Sequence, residues 1–149
     1  MQGLRWVQMT QAERDDFLGN GGIGVLSFST PGEDPPWLLP VSYGYDVHST
    51  SFYFSLAFPP DTGKPDVIDN PVSFATHSKT PDGWRSIVAT GTLEEVTDMP
   101  YDSSAVQGMW AVNIPEVDIF DQPREEITFR DFHLEPDALT GRKEVNTEP

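Results

Sequence analysis

The chain has 149 residues, 24 of them aspartate or glutamate against 9 lysines and arginines, for a formal net charge of −15, and it contains no cysteine. That excludes disulfides, thiolate metal sites, iron–sulfur clusters and thiol catalysis, and leaves an ordinary apolar core as the source of stability in one domain. Nucleic acids and anionic membranes are bound chiefly by lysine and arginine, so neither is expected as a partner, and no apolar stretch approaches the roughly 20 residues of a spanning helix.

In chain order, residues 1–6 lack the apolar core of a secretion signal, so the expected location is the cytoplasm. Thr10, Gln11, Ala12 and Glu13 fit a capping box, and Ala12, Phe17 and Leu18 put an apolar stripe on a short helix that stops at the glycine-rich residues 19–22. Residues 23–29 are rich in β-formers and run into turn-formers at 30–36. Residues 37–45 and 51–57 read as consecutive antiparallel strands around a polar turn at 46–49.

Residues 58–63 read as loop, and 64–69, with Pro65 near the start, as one or two helical turns that stop before Asn70 and Pro71. Alternation returns at 72–77, and a turn at 79–83 leads into a long β segment over 84–96. Tyr101, Ala105, Val106, Met109 and Trp110 recur at helical spacing and place a second helix between 98 and 113, before an irregular acidic loop at 114–124. Residues 126–134 give a last strand, and the chain then runs through 135–143 into a polar tail at 144–149. Six strands with short helices predict a mainly β fold, a closed antiparallel barrel in one domain over 1–149 with its core at about 9–143.

Most catalytic signatures are missing. His48, His77 and His133 lack metal-ligand spacing, so no metal is expected and the three read as solvated or core histidines. The glycines of residues 19–24 precede a strand instead of joining a strand to a helix, which does not make a dinucleotide site. Neither a P-loop nor a G-x-S-x-G elbow occurs. The pairs Glu94-Glu95 and Glu125-Glu126 are chain neighbours that strand geometry would turn to opposite faces, as solvated skin. Such an acidic surface with few lysines suits high salt, where screening relieves self-repulsion, and a halophilic protein is expected.

Three ordered segments carry a family resemblance: Pro40-Val41-Ser42-Tyr43-Gly44-Tyr45-Asp46; Phe52-Tyr53-Phe54-Ser55 with Gly63-Lys64 and Asn70-Pro71; and Trp84-Arg85-Ser86-Ile87-Val88-Ala89-Thr90-Gly91. With the Thr140-Gly141-Arg142-Lys143 ending, they resemble the pyridoxamine 5′-phosphate oxidase-like family of FMN-binding split barrels over about residues 9–143. The resemblance implies a six-stranded antiparallel split β-barrel and a homodimer with FMN in a cleft at its interface. It also implies that Val41, Ser42 and Tyr43 line the flavin, that Lys64 reaches its phosphate, and that Trp84, Arg85, Ser86 and Ile87 close the site. In a cation-poor chain, Lys64, Arg85, Ser42 and Ser86 are the donors a phosphate needs.

Each match also has a plainer reading. Residues 40–43 fit an edge strand with a proline equally well, Lys64 fits a solvated helix start, and Trp84 alone reads sooner as core than as a ligand stack. A cation at Arg85, between Trp84 and Ile87, must be paired if buried, which favours a ligand or interface contact. Two features depart from the family: Ser55 stands where many relatives carry histidine, and the loop at 58–63 is unlike the small polar version common among them. The residues with which true pyridoxamine phosphate oxidases clamp their substrate have no recognisable counterpart, so vitamin synthesis is not expected. The expected function is a cytoplasmic FMN-dependent oxidoreductase for an unidentified small molecule. The alternative is a non-catalytic carrier or sensor, with deazaflavin or haem as other occupants of the same cleft.

Overall fold

A computed structural model describes residues 4–57, 70–96, 103, 108 and 129–146. Helix α1 (Gln11–Leu18) begins at a reciprocal capping box: the Thr10 side chain accepts from the Glu13 backbone N–H, and the Glu13 carboxylate accepts from the Thr10 N–H at 2.9 Å. The strands are β1 (Leu4–Gln8), β2 (Gly22–Phe28), β3 (Trp37–Asp46), β4 (Ser51–Ala57), β5 (Val72–Thr80), β6 (Gly83–Gly91), β7 (Leu93–Glu95), β8 (Phe129–Leu134) and β9 (Ala138–Asn146). They form one antiparallel sheet in the order β1-β9-β6-β5-β2-β3-β4-β8-β7, strongly curled into a half-barrel.

The concave face holds the core because alternate side chains of each strand point to it. Leu26 and Phe28 from β2, Tyr43 and Tyr45 from β3, Phe52 and Phe54 from β4, Phe74 from β5, Ile87 from β6 and Phe132 from β8 are all buried there. Phe74 sits at the centre, with ring centroids 5.1 Å from Phe52 and 5.2 Å from both Tyr43 and Phe54. Helix α1 covers one end of this core with Leu18. It is tied to β3 by Tyr45, whose hydroxyl donates to Asp15 at 3.0 Å, and to β9 by the Glu13–Lys143 ion pair.

Two glycines mark places where backbones crowd. A Cβ on Gly24 would stand 2.6 Å from the Ala75 carbonyl oxygen and from the Phe74 ring, so β2 and β5 meet here only because the position lacks one. Gly91 ends β6 with Leu134 where its Cβ would be, 2.8 Å away, and after Thr92 the chain crosses to the far edge of the sheet as β7.

The mainly β split-barrel expectation agrees with this architecture, and three details are corrected. The described residues hold nine strands instead of six, and β1 and β7 stand at opposite edges of the sheet, so it is curled without closing. The stretch 84–96 is broken at Thr92, because β6 pairs with β5 and β9 whereas β7 pairs with β8. Residues 138–146 are a strand instead of a run into a polar tail: Lys143 turns to the helix side, where Glu13 neutralises it. The expected loop at 58–63, short helix at 64–69 and acidic loop at 114–124 lie outside the described residues. Within the expected second helix only Ser103 and Gly108 are described. Gly108 is helical and lies so close to Tyr53 that a Cβ would be 2.1 Å from its hydroxyl.

Candidate ligand face of the sheet

Directly opposed residues of antiparallel strands share a face, so the ladders define what the convex side presents. Ser42 lies opposite Ile23, while His77, Ser86 and Arg142 lie opposite one another across β5, β6 and β9. The next row holds Pro40, Val25, Ala75, Val88 and Thr140. Beyond the other side, Trp84 opposes Lys79, and Trp6 opposes Glu144. Ile23 is 57% exposed, Leu38 60%, Val88 48%, Trp6 54% and Trp84 39%.

This convex face is unlike the rest of the molecule in charge. Strands β2, β3, β5, β6 and β9 contain only two carboxylates, Asp46 at the end of β3 and Glu144 near the end of β9, in a chain with 24. Elsewhere Arg130 pairs with Glu95 and Lys143 with Glu13, while Arg14 and Arg85 donate to backbone carbonyls. Arg142 and Lys79 are exposed on the convex face, and neither side chain makes a hydrogen bond or ion pair there.

Strand parity divides the eight expected site residues. Ser42, Trp84 and Ser86 point to the convex face. Val41, Tyr43 and Ile87 turn their side chains into the core, at 7%, 2% and 0% exposure, so only their backbones border that face. Burial also pushes the Tyr43 phenol up from its ordinary value. Arg85 shares the concave side with Ile87 at the strand end, half-buried, where its guanidinium donates to the carbonyls of Trp84 at 3.0 Å and Asp82 at 3.5 Å. Lys64 lies outside the described residues. Ser42 and Ser86 are separated by β2 and β5, three strand spacings or roughly 14 Å, so one phosphate cannot bind both.

Two residues on the convex face were not singled out from the sequence as site candidates: Arg142, beside Ser86 on one flank, and His77, beside it on the other. His77 also lies 5.9 Å from the Trp84 ring. The Thr140-Gly141-Arg142-Lys143 run did belong to the resemblance; what it lacked was the β6–β9 ladder that sets Arg142 against Ser86. Hydroxyl, imidazole, ammonium and guanidinium groups around an exposed indole suit an anionic ligand with a flat ring, which is the chemistry of a flavin phosphate.

The other polar groups serve the fold. Ser55, at the position of the family histidine, donates to Asp131 at 2.7 Å and so bonds β4 to β8. His133 packs on Tyr53 at 5.1 Å, with Glu94 3.9 Å from its Nδ1. Burial lowers its pKa against the opposing pull of Glu94 and Glu135. Glu94 and Glu95 do turn apart, one toward His133 and the other to Arg130. Among the described residues no group of three or more His, Asp or Glu side chains is placed to hold a metal ion, and no helix is long and apolar enough to cross a membrane.

A curled antiparallel half-barrel with one short helix is the fold of the split-barrel proteins. An FAD-binding protein from Mycobacterium smegmatis superposes with a TM-score of 0.65 at 14% identity, over 95% of this chain and 100% of its own. One from Mesorhizobium loti gives 0.65 at 17% identity, over 96% and 99%. A haem-binding protein from Mycobacterium smegmatis gives 0.58 at 15% identity, over 94% of this chain and 59% of its own. No curated protein matches the chain closely enough to be counted a relative. Residues 10–143 match the family model described as pyridoxamine 5′-phosphate oxidase, and the chain belongs to that family.

Proposed function

We propose that the chain binds a flavin, FMN, on the convex face of its sheet between two copies of itself, and acts in the cytoplasm as an oxidoreductase on a small molecule. The observation that carries this reading is the convex face itself: apolar, nearly free of carboxylates and holding unpaired cations, on a chain of net charge −15. Two such faces can approach without the repulsion that other surfaces of this protein would meet. FAD binding by two structural neighbours supports a flavin, and the family membership supports redox chemistry.

A bound flavin supplies the acceptor for a hydride or an electron pair. The chain positions it. Trp84 gives a flat wall, Ser86 and Ser42 give hydroxyl donors at separated points, and the Val41, Tyr43 and Ile87 segments give backbone edges fixed by their buried side chains. Lys64 is assigned to the phosphate end on the family resemblance. No side chain is assigned to move a proton.

The first test is the visible spectrum of protein purified in high salt, before and after loading with FMN and gel filtration. A flavin spectrum that stays with a dimer is the expected result; a colourless monomer would overturn the reading. A second reading, binding without turnover, draws on the haem-binding neighbour and the lack of an assigned proton donor. It predicts a retained ligand that NAD(P)H does not turn over repeatedly.

A further inference from the structure

We propose that Trp6, Glu144 and Trp84 form a site for a small organic cation of the quaternary ammonium class, held between two indole rings with the carboxylate beneath it. The inference goes beyond the flavin reading and shares only Trp84 with it.

Three adjacent strands build the row. Trp6 of β1 opposes Glu144 of β9. On the other flank of β9, Ser86 opposes Arg142 and Arg85 opposes Lys143, so the next step along β6 sets Trp84 beside Glu144, on the face that both share with Ser86 and Arg142. Two of the chain's four tryptophans thus stand exposed on one row, with a single carboxylate between them. Their backbones are two strand spacings apart, about 10 Å. A cation centred over Glu144 therefore lies within about 6 Å of a ring on each side, the range in which ring faces attract positive charge. A Cβ on Gly83 would stand 3.0 Å from Glu144 Oε1, so the glycine beside Trp84 leaves the carboxylate its place. The His77 ring, 5.9 Å from that of Trp84, backs this indole from the β5 side.

The chemistry of the row selects a weakly hydrated cation. Indole faces accept no strong hydrogen bond, and one carboxylate cannot satisfy the three donors of a primary ammonium or replace the water around a metal ion. A methylated nitrogen has no donors to satisfy and gains from both rings. The net charge of −15 concentrates cations around the chain. The row is not filled from within: Lys79, opposite Trp84, and Arg142, two residues before Glu144, neither pair with that carboxylate nor stack on either indole. It also lies at the margin of the convex face, since β1 is the outermost strand and Trp84 is four residues along β6 from Val88. A second copy docked on the centre of that face leaves the row at the rim.

The test follows the N-methyl proton resonance of choline by NMR as the purified protein is added in KCl buffer, with the uncharged carbon analogue dimethylbutanol as control. Ring currents from two indoles should move the choline methyl signal upfield to saturation, and the analogue should bind roughly tenfold more weakly or less. Trp6→Leu, Trp84→Leu and Glu144→Gln should each weaken choline roughly threefold or more, and Arg5→Gln, on the same strand as Trp6 but the opposite face, should not. Circular dichroism checks that each variant is folded, and Glu144→Gln, which keeps the side chain's size, carries the test if a tryptophan variant is not. An unmoved methyl signal, equal affinity for choline and its analogue, or choline affinity untouched by Glu144→Gln would overturn the site. Choline bound by protein that retains no FMN would uphold the site and overturn the flavin reading. FMN retained by protein that leaves the choline signal unmoved would do the reverse.

Discussion

Gly24 is the residue at which the curl of the sheet is most sensitive to a single atom. The carbonyl of Ala75 belongs to a ladder strand and cannot swing away, and Phe74 is fixed by three ring neighbours. Gly24→Ala is expected to destabilise the fold by about 1–3 kcal/mol, as overpacking of a filled core does, which chemical denaturation would measure. An unchanged unfolding midpoint would mean that β2 can slide on β5. His133 is sensitive to protons in a similar way. Burial holds its pKa below the usual 6.5, so the folded chain prefers the neutral ring and the unfolded chain takes up the proton first. Stability is therefore complete above about pH 6.5 and is lost as pH falls from there through the folded pKa. Melting curves of wild type and His133→Gln between neutral and mildly acid pH should differ in slope, the wild type falling faster; parallel curves would remove His133 from the acid response.

Helix α1 and strand β9 are held to each other by Glu13 and Lys143, and this contact has its own acid limit. The bond to Lys143, then that from the Thr10 backbone, lowers the Glu13 carboxylate from 4.5 to about 2. A depressed carboxylate stabilises the fold fully above its unfolded value, so this contribution is present above about pH 4.5 and fades as pH falls toward about 2. Lys143→Met should make the acid unfolding curve shallower across that window, read by circular dichroism. The same contact shows what could be read from the chain alone. Thr10 to Glu13 are local neighbours, and the cap was legible. The runs of β-formers that became β2, β3 and β4 and the alternating stretch that became β5 were legible for the same reason, since each is a local pattern. Strands β1 and β9 were not, because a polar strand with Lys143 turned inward makes sense only once a helix supplies Glu13. The candidate residues could be placed by strand but not by face. Residues 41–43 and 84–87 were grouped as consecutive letters, while pleating sends Ser42, Trp84 and Ser86 one way and Val41, Tyr43 and Ile87 the other.

At the scale of the whole molecule, the net charge of −15 sets a surface repulsion that salt relieves. The melting temperature should rise between about 0.1 M and about 2 M KCl, and the fraction of dimer seen by light scattering should rise with it. A midpoint indifferent to salt would remove the halophilic expectation. The nearly carboxylate-free convex face makes the second expectation specific, because Val88→Glu, which adds a charge at the centre of that face, should favour the monomer at every salt concentration.

The outermost ladder pairs Leu4 with Asn146 and Gln8 with Arg142. During synthesis, β1 thus leaves the ribosome before β2–β8 and must wait for all of them before its partner β9 exists, with Trp6 and an unpaired strand edge open to other nascent chains in the meantime. Yield in a heterologous host would then depend on how fast the last strand is delivered.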